Sequence, residues 1–135
     1  MIWRKIGLFA AATAVIGSAA LPARAADAAL PARAADDGQV LFNNACRTCH
    51  SIKAGDNRLG PSLHAVVGRP AGTIPGYGYS SALKDTKLTW DKSTLDRFIA
   101  DPNAVAPGNS MKPYGGLASE SDRAAVIAYL ESAAN

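Results

Sequence analysis

The sequence predicts an all-α fold, one small domain of short helices separated by long loops, and three observations point there. No stretch is β-rich. Two segments carry apolar residues three and four apart behind a side chain able to cap a helix, and a third apolar segment follows a candidate cap at Asp36 or Asp37. Between them lie runs rich in Gly and Pro without periodicity, and loops of such length inside a small domain need something other than a protein core to pack on.

At the N-terminus, Arg4 and Lys5 precede a largely apolar run from Ile6 to Ala20, followed by Ala-x-Ala sites, the pattern of a secretory signal. The run is too short for a membrane span, so none is expected in the mature form. The block from Ala20 to Asp27 recurs unchanged from Ala29 to Asp36, which offers cleavage after Ala25 or after Ala34. Ala25 lies nearer the apolar run. The expected organisation is therefore a signal over 1–25 (alternatively ending at 34), a flexible N-terminal segment over 26–36, and one folded domain over 37–135. The chain is formally +3, but removing Arg4, Lys5 and Arg24 leaves basic and acidic side chains equal in number. No basic patch argues for nucleic acid.

Asp36 or Asp37 can cap a first helix through Val40, Leu41 and Phe42 toward Cys46. From Lys53 to Gly78 the chain reads as loop, and Ser80 to Asp85 as a turn or two of helix. Asp91 caps the next helix, whose apolar residues are Leu95, Phe98 and Ile99, and Pro102 stops it. Asn103 to Ala118 reads as loop again. Ser119 caps the last helix, with Val126, Tyr129, Leu130 and Ala133 on its apolar face.

The chemistry lies in Cys46-Arg47-Thr48-Cys49-His50. Two cysteines three positions apart with a histidine after the second form the c-type haem attachment pattern: both thiols can bond the porphyrin vinyl groups while the imidazole reaches the iron. A redox dithiol would want a βαβ context, which is absent here. Zinc would draw on Cys46, Cys49, His50 and His64, four in number, but adjacent Cys49 and His50 are poorly placed to share one ion. A disulfide closing so small a loop would stabilise little. Export agrees with haem, because the thioethers are made outside the cytoplasm, and a small domain gains from a covalently held cofactor in its core.

One axial position remains beyond His50, and Met111 is the only methionine besides the initiator. It stands in a Gly/Pro-rich loop between Ser110 and Lys112, an odd place for a core residue, which marks it as the second iron ligand. His64, only fourteen residues after His50, reads instead as a surface or hydrogen-bonding residue.

From Gly38 to Ser132 the chain resembles the class I c-type cytochromes, on the mitochondrial-type and cytochrome c2 branch. Beyond the attachment motif the resemblance rests on Gly60-Pro61-x-Leu63-His64-x-x-x-Gly68-Arg69, Pro75-Gly76-Tyr77-Gly78-Tyr79, Trp90, Pro107-Gly108-Asn109-Ser110-Met111 and Ala128-Tyr129-Leu130. It implies the small cytochrome c fold, first and last helices crossing through Gly38, Phe42, Val126 and Tyr129, with loops wrapped around the haem. It also implies that the Pro61 carbonyl orients His50, that Tyr79 and Trp90 bond a haem propionate near Arg69, and that Asn109 belongs with the cofactor-binding residues. Two positions depart from the mitochondrial pattern: Phe98 replaces a tyrosine near the methionine sulfur, and Leu83 an asparagine near an internal water. Both changes remove polar groups from the methionine side. The mature chain also lacks a dense lysine belt, which weakens electrostatic steering to an acidic partner.

With His and Met on one haem c, the expected function is a soluble, periplasmic, monomeric one-electron carrier and not an enzyme. The resemblance implies membrane or soluble redox partners: a cytochrome bc1 complex, an oxidase, a photosynthetic reaction centre or a dehydrogenase. Two rivals are a dedicated haem subunit of one periplasmic dehydrogenase, and a peroxidase or gas-binding protein with a labile Met111.

Overall fold

A computed structural model describes residues 24–134, with side chains from Ala34 onward. The secretory-signal reading lies outside the described residues, save for its last two positions. Five helices are described: α1 Arg24–Ala45, α2 Ser81–Lys84, α3 Lys92–Ala100, α4 Pro102–Val105 and α5 Glu120–Ser132. The described residues contain no strand, only an isolated bridge between Pro70 and Thr89. Among them no helix is long and apolar enough to cross a membrane.

The capped ends behave as the side-chain chemistry requires. Asp91 accepts from the Thr94 amide at 2.7 Å and opens α3, while Ser119 accepts from the Asp122 amide at 3.2 Å and opens α5. Two expectations need correction. α1 does not begin at Asp36 or Asp37, because the alanine-rich residues before them are themselves strong helix formers, so the helix already runs through them from Arg24. The stretch after Pro102 is not all loop: Asp101 accepts from the amides of Asn103 and Ala104, and proline suits a first helical position, so α4 forms there.

α1 and α5 make the main apolar contact. Phe42, Val126 and Leu130 are almost fully buried, and the Phe42 and Tyr129 rings lie 5.5 Å apart in a tilted pair. Ile127 is also buried, although its spacing did not single it out, and it lines a cleft with Lys92, Ser93 and Asp96 of α3. α3 closes the core with Leu95, Phe98 and Ile99, and the Trp90 and Phe98 rings form a tilted pair with centroids 4.8 Å apart. Arg123 of α5 holds Asp96 of α3 at 2.7 Å and also donates to the carbonyls of Leu117 and Ala118. By contrast the exposed Lys92–Glu131 pair contributes little.

The long loop between α1 and α2 is stitched by backbone bonds: Gly60 donates to Cys49, Leu63 to Ser51, Gly68 to Trp90 and Trp90 to Arg69, all at 2.9 Å or less. Its path is fixed without a sheet. Gly38 sets how closely α1 can approach α5, because a Cβ there would collide with the Ala125 carbonyl and stand 2.8 Å from the Tyr129 Cβ. Gly38→Ala should therefore destabilise the holoprotein by roughly 1–3 kcal/mol, read from the denaturant midpoint, and an unchanged midpoint would contradict this packing.

Candidate haem-binding site

The site starts where α1 runs out. The amides of Cys46 and Arg47 both donate to the Phe42 carbonyl, and those of Cys49 and His50 both donate to Cys46, so one tight turn carries both cysteines and the histidine. Both thiols are free. Burial, reinforced by Cys49, pushes the Cys46 thiol up to about 11, which keeps it protonated and poorly suited to act as a thiolate metal ligand. Among the described residues no group of three or more His, Cys, Asp and Glu is placed to hold an ion, so the zinc arrangement is not assembled.

His50 is buried, and its Nδ1 lies 2.8 Å from the Pro61 carbonyl. A carbonyl can only accept, so Nδ1 carries the proton and donates, leaving the Nε2 lone pair for a metal. Burial holds the imidazole below its usual pKa, with the Pro61 bond working the other way. A neutral ring is the state that coordinates iron. Gly60 lies flat against this ring: a Cβ there would stand 2.6 Å from Nδ1 and 2.8 Å from Nε2.

A second cluster gathers buried donors. Arg69 Nη1 donates to the His64 carbonyl at 2.6 Å and Nη2 to the Ser62 carbonyl at 3.1 Å, while its Nε is buried with no protein partner. Ser80 Oγ is likewise buried and unpaired. Half-buried Tyr79, next in sequence to Ser80, has its phenol held above the usual value by burial, while the Ile74 backbone bond and Arg69 act in the opposite direction. A buried unpaired donor costs about 1–3 kcal/mol, so two of them call for an acceptor. A haem propionate is an acceptor of the kind that would satisfy them. Trp90, whose backbone amide bonds Arg69, buries its indole against Phe98 beside this cluster.

Met111 is half-buried and packs against the core, as does Leu83. Asn109 is almost fully buried, and its side chain is engaged by the chain itself: Nδ2 donates to Asn103 Oδ1 and to the Ala106 carbonyl, and Oδ1 accepts from the Met111 amide at 3.0 Å. It holds the loop that presents Met111. His64 uses only its backbone, donating to Ser62 Oγ and accepting from Arg69. Sequence reasoning gave no role to Gly60, Ser80 or Tyr114. Gly60 stood beside Pro61 in a quoted motif, but nothing in the sequence marked Ser80 as buried and unpaired.

These residues fit a covalently attached haem: paired thiols, an oriented imidazole backed by glycine, and orphaned donors suited to carboxylates. Gly60→Ala should push the His50 ring off the Pro61 carbonyl and cost roughly 1–3 kcal/mol of holoprotein stability, with the His50 ring resonances shifted in NMR spectra. Unshifted resonances would show that the ring does not rest on Gly60.

Comparison with known proteins agrees with this geometry. Residues 33–130 match the family model described as cytochrome c oxidase, cbb3-type, subunit III. Cytochrome c2 iso-2 of Magnetospirillum fulvum is 51% identical over 87 residues, covering 64% of this chain and 90% of that protein. Cytochrome c of Euglena viridis is 38% identical over 95 residues, covering 70% and 92% respectively. Cytochrome cH from Methylobacterium extorquens superimposes with a TM-score of 0.67 at 37% identity, covering 73% of this chain and 97% of that one. With its attachment motif at Cys46 and Cys49, its helical fold and these relatives, the chain belongs to the cytochrome c family, among the small electron carriers with covalently bound haem c.

Proposed function

We propose that this protein is an exported, periplasmic one-electron carrier whose single haem c is ligated by His50 and Met111. The observation that carries the reading is the buried His50, protonated at Nδ1 by its bond to Pro61 and so left with Nε2 free, directly after the second attachment cysteine. Met111 supports it as the one methionine of the folded domain, offered by a loop that Asn109 holds in place. Residues 1–25, or 1–34, act as the export signal, and residues 37–135 form one monomeric domain.

Haem c, when bound, supplies an iron centre that exchanges single electrons. The protein's own groups set the conditions. Pro61 orients the imidazole and strengthens its donation. Arg69, Ser80, Tyr79 and the Trp90 indole offset or bond buried propionate charge. Phe98, Trp90 and Leu83 keep the methionine side apolar. With His50 and Met111 both holding the iron there would be no open site for a substrate, so the reading is a carrier and not an enzyme. Partners are membrane complexes such as a cytochrome bc1 complex, an oxidase or a reaction centre, or a soluble dehydrogenase, in weak and short-lived contacts.

Three measurements test this. Oxidised holoprotein should show the red charge-transfer band of methionine bound to iron at neutral pH, and reduced holoprotein should not bind carbon monoxide. Met111→Ala should lose the band and bind carbon monoxide; a variant that keeps the band would reject Met111 as ligand. Phe98→Tyr adds a polar hydroxyl on the methionine side and should lower the reduction potential by favouring the more charged oxidised iron, whereas an unchanged potential would remove Phe98 as a determinant.

A further inference from the structure

The end of α3 leaves a carbonyl that its own helix cannot satisfy. The next turn would have to donate from residues 101 to 103, but the Asp101 amide bonds Arg97, Pro102 has no amide hydrogen, and the Asn103 amide turns to Asp101 Oδ1. The Ile99 carbonyl is thereby free, and two groups from the loop after Met111 take it. The Leu117 amide donates at 3.0 Å, and the Tyr114 hydroxyl donates at 2.8 Å. Gly116, at φ +97°, lets the loop lie on the same helix end, since a Cβ there would collide with the Ala100 carbonyl.

Met111 is therefore gripped from both sides. Two residues before it, Asn109 ties the loop to α4 through Asn103 and Ala106; three residues after it, Tyr114 ties the loop to α3. Burial first, and the nearby Cys46 second, push the Tyr114 phenol up to about 12, with Arg123 opposing, so the hydroxyl stays a donor across the neutral range. The ring also packs against the core.

We propose that Tyr114 is a positioning residue for Met111: its bond to the Ile99 carbonyl latches the ligand loop to the end of α3 and sets how firmly the thioether is held against the iron. The inference rests on Met111 being the second ligand. Imidazole added to the oxidised holoprotein competes for that position, so its apparent affinity, read from loss of the red charge-transfer band, reports how tightly Met111 is held. Tyr114→Phe keeps the ring and its packing but removes the bond, and imidazole affinity should rise roughly three- to tenfold, the factor that one net hydrogen bond can supply. Val126→Ala, which opens the distant contact between α1 and α5, should lower the unfolding midpoint while leaving imidazole affinity within about twofold of wild type. Wild-type imidazole affinity in Tyr114→Phe would overturn the latch, as would an equal rise in Val126→Ala, which would make the effect one of general stability. If the unsubstituted holoprotein shows no red band at all, it is the ligation by Met111 that fails.

Discussion

Close approach of α1 and α5 at Gly38 is the constraint on which the remaining structure depends. Because no side chain stands between the two backbones there, Phe42 can reach Tyr129, and Val126 can be buried almost completely. That contact fixes the direction in which α1 ends, and the end of α1 is the turn that carries Cys46, Cys49 and His50. A haem attached at that turn has its place in the molecule decided before any loop touches it.

The loops then solve a problem of polar satisfaction more than one of apolar burial. Their backbone groups bond to one another and to the starts and ends of short helices, which lets irregular chain sit inside a small domain at low cost. What they leave over is informative. Arg69 Nε and Ser80 Oγ remain buried and unpaired on one side, and His50 Nε2 is left with a lone pair on another. Groups left over in this manner are ones that a charged, metal-containing planar cofactor would satisfy. The charges that the protein does pair, such as Arg123 with Asp96, lie between helices, where they hold α5 to α3.

The two halves of the proposed iron site are built differently. His50 sits in a rigid setting, held by a neighbouring carbonyl, a flat glycine and a covalent attachment one residue away. Met111 is carried by a loop whose geometry comes from side chains two and three positions distant, Asn109 and Tyr114. The Met111 side thus depends on more distant groups than the His50 side does, and Phe98 belongs to the apolar core against which Met111 and Leu83 pack.

Much of this was legible in the residues. The attachment motif, the caps at Asp91 and Ser119, and the spacing of Leu95, Phe98 and Ile99 all follow from local chemistry, where one residue's requirement is met by a neighbour within four positions. The extent of α1 and the existence of α4 were less legible, because helix propensity near Asp36 and the proline at 102 each admit two outcomes until neighbours choose. Burial of Ser80, the flat contact of Gly60 with His50, and the pairing of Tyr114 with Ile99 could not be read at all. Each joins residues far apart in sequence, or depends on a donor being cut off from water, and only the path of the folded chain decides which distant groups meet. Local residue chemistry sufficed for the haem-attachment pattern at Cys46 and Cys49 and for marking His50 and Met111 as candidate ligands; what surrounds those side chains came only from the folded chain, because it is set by contacts between residues distant in sequence.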